Sequence, residues 1–138
     1  MKKIYLIAFL VVAISSFGQE RGDKKIIISL PDSSAAFETA KVALIRNDFI
    51  IKDLSLKDTL LTYARELNNI TGYAIFQAEI SGNKIILSGL YGLKKISSFG
   101  YNNLPKSYLP IRYYPASKTW NILLKVAQSM GGSLIFSN

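Results

Sequence analysis

The sequence predicts an α+β fold: an antiparallel sheet of five to six strands with two helices packed on one of its faces. Two segments carry apolar residues at helical spacing, and the remaining apolar segments are short and rich in β-branched residues. The breaks between the central segments are only a few residues long. Parallel strands would need longer crossover connections, so the sheet is expected to be antiparallel. The expected order is β-α-β-β-β-β-α-β.

The first strand and the first helix are predicted before residue 48. Lys24–Leu30 is short and β-branched, and Pro31 ends it. The next three residues, Asp32, Ser33 and Ser34, offer N-cap oxygens to a helix over residues 35–47. Its apolar face would carry Ala36, Phe37, Ala40, Ala43 and Leu44. Asn47 is a plausible left-handed residue at its end.

Four strands are then predicted in a meander, over residues 49–56, 59–67, 73–80 and 84–91. Lys57 and Asp58 form the first turn, and residues 68–72 form the second. Gly82 and Asn83 suit the two-residue turn of a β-hairpin, because both tolerate a positive φ.

A second helix is predicted after Ser117, its candidate N-cap. Its apolar stripe has spacings of three and four and consists of Trp120, Leu123, Leu124, Ala127 and Met130. Trp120 is therefore expected to be buried against the sheet. Gly131 and Gly132 would end this helix, and Ser133–Ser137 is predicted as the last strand.

This order of elements resembles one repeat of the TATA-box-binding-protein (TBP) fold. With its N-terminal apolar segment, the chain resembles small secreted bacterial domains of unknown function that have a TBP-like fold. The similarity covers about residues 24–130 and includes the helix pattern "TWNILLKVA". It carries no functional motif, so it implies a fold and no site. The segment "WNILLKVAQSMGGSLIF" is also similar to short periplasmic domains of secretins and TonB-dependent transporters.

The N-terminus is predicted to be a signal peptide over residues 1–18. Lys2 and Lys3 precede an apolar run from Ile4 to Ile14, and Ser16 and Gly18 are the small residues that a signal peptidase reads. The run is too short for a membrane-spanning helix, which needs about 20 apolar residues. The chain is therefore expected to be exported, to the periplasm or out of the cell, with residues 19–138 as a single domain and no transmembrane span after cleavage.

Charge is unevenly distributed along the chain. The net charge is +8, yet residues 80–138 contain seven Lys and Arg residues and no Asp or Glu. This asymmetry favours an anionic partner, and a solvated basic surface is the alternative. The export signal disfavours nucleic acid and makes an anionic glycan, an envelope lipid or an acidic protein more accessible.

The composition offers little for catalysis. The chain has no His and no Cys, which removes the commonest general base, the thiol nucleophile and the usual zinc ligands. Ser81 and Lys84 match Ser-x-x-Lys, but they lie on a predicted hairpin turn and not at the start of a helix. The sequence therefore predicts a non-enzymatic protein with no metal site and no cofactor.

A long loop at about residues 93–116 combines cations with aromatic residues. Such a long connection is unusual in a compact domain and is often functional. Residues 110–115 are expected to form a short added strand, with Ile111 and Tyr113 on one side and Arg112 and Tyr114 on the other. The predicted ligand-binding residues are Lys94, Lys95, Tyr101, Lys106, Tyr108, Arg112 and Tyr114.

The predicted function is an exported binding or envelope-associated domain that recognises an anionic partner through this basic, aromatic half. The alternative is an accessory module that docks a peptide or a subunit on its open sheet face. The oligomeric state is left open.

Overall fold

A computed structural model of the chain describes residues 18–53, 57–67, 72–96, 102–103, 105 and 107–138. The predicted signal peptide lies almost entirely outside the described residues. The elements in chain order are β1 (Lys25–Ser29), α1 (Ala36–Arg46), β2 (Ile51–Asp53), β3 (Thr59–Thr62), β4 (Arg65–Leu67), β5 (Gly72–Ser81), β6 (Lys84–Leu93), β7 (Lys95–Ile96), β8 (Asn102–Asn103), β9 (Leu109–Pro110), α2 (Lys118–Gln128) and β10 (Ser133–Ser137).

The main sheet is antiparallel and open, with the strand order β10-β1-β6-β5-β3-β2. The short strand β4 pairs with β5 beyond the end of β3, and β9 pairs with β6 beyond the end of β1. The predicted α+β class with two helices is confirmed. The sheet contains eight strands where the sequence predicts five or six. Strands β7 and β8 form a separate two-stranded sheet inside the predicted long loop.

One face of the main sheet carries the core. Ile26, Leu87, Ala78 and Leu60 lie side by side on β1, β6, β5 and β3, and all four are fully buried. The buried residues of both helices belong to the same cluster. Both helices therefore pack on this face, and burial of their apolar stripes is the main stabilising contribution.

The opposite face is more open and is partly apolar. Ile135, Ile27 and Ile86 form a row across β10, β1 and β6. Ile135 on the edge strand is 43% exposed. Antiparallel sheets commonly leave one face to solvent in this way.

The two helices begin at different kinds of cap. Ser117 caps α2 as predicted, and its hydroxyl oxygen accepts a hydrogen bond from the Trp120 backbone N–H at 3.3 Å. Asp32 caps a single 3₁₀ turn, Ser33–Ala35, that leads into α1, and it accepts from the Ser34 N–H at 2.9 Å.

The end of α1 differs from the prediction. Asn47 has φ −95° and is not left-handed, whereas the next residue, Asp48, has φ 66°. Asn47 instead uses its side-chain amide, which donates to the Ala43 carbonyl at 2.7 Å.

The predicted strand over residues 59–67 is divided into β3 and β4 by a β-bulge. Leu61 faces Gln77 and Arg65 faces Ala74, so three residues on one side oppose two on the other. The buried Thr62 next to the bulge accepts from the Phe76 backbone N–H at 2.9 Å. Of the predicted strand over 49–56, the structure shows β2 only. Phe49 and Ile50 are described but precede the strand, and residues 54–56 lie outside the described part of the chain.

Trp120 is fully buried, as predicted. Its ring meets Tyr113 edge-on at a centroid distance of 5.8 Å and lies 6.1 Å from Phe136. Its indole N–H donates to the Gln19 side-chain oxygen at 3.1 Å. The indole therefore holds together the N-terminal segment, α2, β10 and the segment that precedes α2.

Replacing Trp120 with alanine is expected to lower the free energy of unfolding by about 3–5 kcal/mol, because a large buried side chain is removed and a cavity remains. Denaturant unfolding measures the loss. Tyr63→Ala is the matched control, since Tyr63 is 51% exposed and its loss should change stability by about 0.5 kcal/mol or less. Equal losses in the two variants would contradict the burial of Trp120 in the core.

Asp32 gives the fold a defined dependence on pH. The hydrogen bonds from the Ser34 backbone and hydroxyl hold the pKa of its carboxyl below the usual value. A lowered pKa stabilises the folded state above the unfolded-state pKa of about 3.9, and this contribution is lost as pH falls through the folded-state pKa. The difference in Tm between wild type and Asp32→Ala should therefore be constant near neutral pH and shrink below about pH 4. A difference that grows on acidification would contradict this role.

Candidate functional site

The segment before α2 is fixed to the sheet by Ile111. Strand β9 pairs with β6 through Leu90 opposite Pro110 and Tyr91 opposite Leu109. The Ile111 N–H then donates to the Gly89 carbonyl at 2.8 Å. The Ile111 side chain is fully buried. It lies where a side chain on Gly89 would project, because a Cβ added there would be 2.8 Å from Ile111 Cδ1.

The same segment is held on its other side by residues 22–23. The Gly22 N–H donates to the Tyr113 carbonyl at 3.0 Å, and the Tyr113 N–H donates to the Asp23 carbonyl at 2.8 Å. Residues 111–114 consequently alternate: Ile111 is buried and Tyr113 half-buried, while Arg112 and Tyr114 are exposed. The predicted alternation is confirmed.

The added strand lies earlier than the sequence predicts, at Leu109–Pro110 and not around Ile111–Tyr114. After Ile111 the backbone leaves β6 and bonds to residues 22–23 instead. Hydrogen bonding to β6 therefore ends at Ile111, and hydrogen bonding to residues 22–23 begins at Tyr113.

A cleft of about 410 Å³ opens between β6, this segment and the start of α2. Its lining residues are Tyr91, Leu109, Pro110, Arg112, Tyr114, Ser117, Lys118 and Thr119. The lining contains two cations and no carboxylate. The two tyrosines and the exposed Leu109 supply aromatic and apolar surface beside the charges. A volume of this size is typical of small-ligand sites.

The electrostatics of this cleft favour an anion. Arg112 and Lys118 are exposed, and the ion pairs found in the described part of the chain involve neither of them. Lys118 and Thr119 are the first residues of α2, so their backbone N–H groups have no partner within the helix. The helix dipole adds to the positive potential of the two side chains.

Arg21 stands close to one wall of the cleft. Its guanidinium carbon lies 5.6 Å from the centre of the Tyr114 ring, in a cation–π arrangement. Arg21 reaches this position because Gly22 and Asp23 are bonded to Tyr113. Arg21, Lys118 and Tyr91 are absent from the residues predicted to bind. The sequence could have indicated Lys118, because it directly follows the predicted N-cap of α2. The position of Arg21 depends on the hydrogen bonds between residues 22–23 and Tyr113, which no local sequence pattern predicts.

The structure brings together two of the seven predicted binding residues, Arg112 and Tyr114. Lys94 instead forms an ion pair with Glu66, and its side chain is 13% exposed. Tyr108 is half-buried and does not line the cleft. Lys95 lies on β7, while Tyr101 and Lys106 lie outside the described residues.

The described residues contain no group of three or more acidic side chains that could hold a metal ion. Ser81 and Lys84 face each other across the β5–β6 turn and are both exposed. Among the described helices, none is long and apolar enough to cross a membrane. The chemistry that the cleft itself offers is hydrogen bonding and charge pairing.

Comparisons of the chain with protein-family models, curated proteins and solved structures find no match. The likeness to TBP-like domains stays a prediction based on element order.

A side chain at position 89 should disturb the packing of Ile111 and of the segment that forms the cleft. In Gly89→Ala the new Cβ would lie 2.8 Å from both Ile111 Cδ1 and Phe76 Cδ1, so we expect a loss of about 1–3 kcal/mol in the free energy of unfolding. Ile111→Val removes Cδ1 and should relieve part of that loss in the double variant. A double-mutant cycle measures this coupling, which should be about 0.5 kcal/mol or more. Strictly additive effects would contradict the contact.

Proposed function

We propose that this chain is an exported, non-enzymatic binding domain that recognises an anionic partner at the cleft before α2. The observation that carries the proposal is that Arg112 and Lys118 line the same cleft, and that the lining contains no carboxylate. An anionic group placed between them would contact two cations and the first backbone N–H groups of α2. Hydrogen bonds to charged groups are among the stronger polar contacts, at about 1.5–3 kcal/mol each.

The aromatic walls narrow the chemistry of the partner. Tyr91 and Tyr114 line the cleft together with Leu109, and a tyrosine offers an apolar ring with a polar tip. The preferred ligand therefore combines an anionic group with a flat or partly apolar surface. Tyr and Arg are the residues most enriched at the energetic centres of interfaces, which agrees with a binding role.

Export is part of the proposal. It is supported by the basic, apolar and small-residue regions of residues 1–18. It is also supported by the contact between the Trp120 indole and Gln19, the residue that would follow cleavage. We extend the proposal to a TBP-like domain of the secreted bacterial type, on the basis of element order. The intact mass of exported protein should correspond to a chain that starts at Gln19 or within a residue or two of it.

The cleft is tested with digalacturonate, a small dicarboxylate sugar, titrated into the ¹⁵N-labelled protein. We expect amide shifts centred on Arg112, Lys118 and Thr119, and none with the uncharged digalactoside. The variant Arg112→Ala/Lys118→Ala should weaken binding by at least about tenfold, because it removes two charged contacts. Lys52→Ala/Lys84→Ala is the matched control, because it removes two exposed cations outside the cleft. Equal affinities for the two double variants would overturn the proposal.

Ionic strength separates this function from docking on the open sheet face. Binding to exposed cations weakens steeply as salt is raised above about 0.1 M, because the charges are screened. The row formed by Ile135, Ile27 and Ile86 is the feature that favours the alternative. A partner that binds independently of salt and is lost with Ile27→Ser/Ile86→Ser would favour the sheet face.

A further inference from the structure

The cleft at the start of α2 is the first of three depressions in a row, each of which shares lining residues with the next. The second depression contains Lys118, Asn121, Ile122 and Lys125, so it shares Lys118 with the cleft. The third contains Arg46, Asn47, Asp48, Arg65 and Leu67 and shares Ile122 and Lys125 with the second. We call the three together the α2 track.

The helix itself makes the track continuous. Lys118, Ile122 and Lys125 have spacings of four and three, which places them on one face of α2. The opposite face carries the buried residues Trp120, Leu123 and Val126. A helix of this length spans about 16 Å, so the track extends well beyond the reach of a single small anion.

Cations line the whole track. They are Arg112, Lys118, Lys125, Arg46 and Arg65, and Asp48 is the one carboxylate in the lining described. Asp48 neutralises little of this positive charge. Its Oδ2 lies 3.9 Å from Nη2 of Arg65, and its side chain is 82% exposed, so the ion pair is weak.

Arg65 is the most firmly positioned of these cations. Its Nη1 donates to the Asn47 carbonyl at 2.6 Å, and its guanidinium carbon lies 4.9 Å from the centre of the Phe49 ring. One end of the track is therefore preorganised, which reduces the conformational entropy lost on binding.

We infer that the α2 track binds a linear anionic polysaccharide, several units of which lie along the helix. This inference rests on the proposed function and names its ligand class. The charge pattern calls for a polymer with repeated negative groups, because the cations recur along the groove and are not gathered at one point.

The distribution of aromatic rings favours a polysaccharide over single-stranded nucleic acid. Tyr91 and Tyr114 line only the first cleft. No aromatic ring lines the second and third depressions as described. Proteins that bind single strands stack successive bases on aromatic side chains along the groove, whereas here rings are present at one end only.

Oligogalacturonates of defined length test the inference by isothermal titration calorimetry. Octagalacturonate should bind wild type at least about tenfold more tightly than digalacturonate, because it reaches Lys125 and Arg46. In Arg46→Gln/Lys125→Gln this advantage should fall below about threefold, while the affinity for digalacturonate stays unchanged. Lys52→Gln/Lys84→Gln is the matched control and should keep the full advantage.

The outcomes separate the two proposals. Failure of digalacturonate to bind anywhere overturns the proposed function. Binding of digalacturonate at the cleft, with a length advantage that Arg46→Gln/Lys125→Gln does not reduce, overturns the track alone. A single-stranded oligonucleotide of equal charge that binds more tightly than octagalacturonate overturns the polysaccharide assignment.

Discussion

The burial of Trp120 is the interaction on which the remainder of the molecule depends. Its ring contacts Tyr113 and Phe136, and its N–H is bonded to Gln19. Three consecutive stretches near the C-terminus and the distant N-terminal residue Gln19 meet at this one side chain. The cleft is built from two of them, the start of α2 and the segment that precedes it. The cleft therefore depends on the same contact that holds the helix to the sheet.

The cations of this protein occupy two different kinds of environment. Lys94 is neutralised by Glu66, and its side chain has little exposed surface. The cations beside α2 are instead distributed along a helix whose inner face is fixed in the core. Position along the chain does not distinguish these groups, because Lys94 and Arg112 belong to the same basic stretch of sequence. The two differ in their partners: Lys94 is paired with Glu66, whereas the ion pairs in the described part of the chain do not involve Arg112.

Local patterns predicted the elements of this fold well, and the junctions between elements less well. The Ser117 cap, the buried face of α2 and the strand Ser133–Ser137 follow from spacing and turn chemistry that lie within a few residues of each other. The bulge between β3 and β4 and the bonds from residues 22–23 to Tyr113 are set by pairings across the sheet. Sequence reasoning named Arg112 and Tyr114, which line the cleft, because they belong to the basic, aromatic segment before α2. It did not name Arg21, because no local pattern places residue 21 beside that segment.

The glycines of β6 have a consequence for the order of folding. Ile111 occupies the space beside Gly89, and a Cβ on Gly92 would meet the side chain of Pro105. The segment that precedes α2 docks on the β5–β6 hairpin, since both glycines belong to that hairpin. We expect its contacts to form after the hairpin. Contacts that form after the transition state change the unfolding rate and leave the folding rate nearly unchanged. These residues would then set how long the cleft persists once it has formed, and not how fast the chain folds.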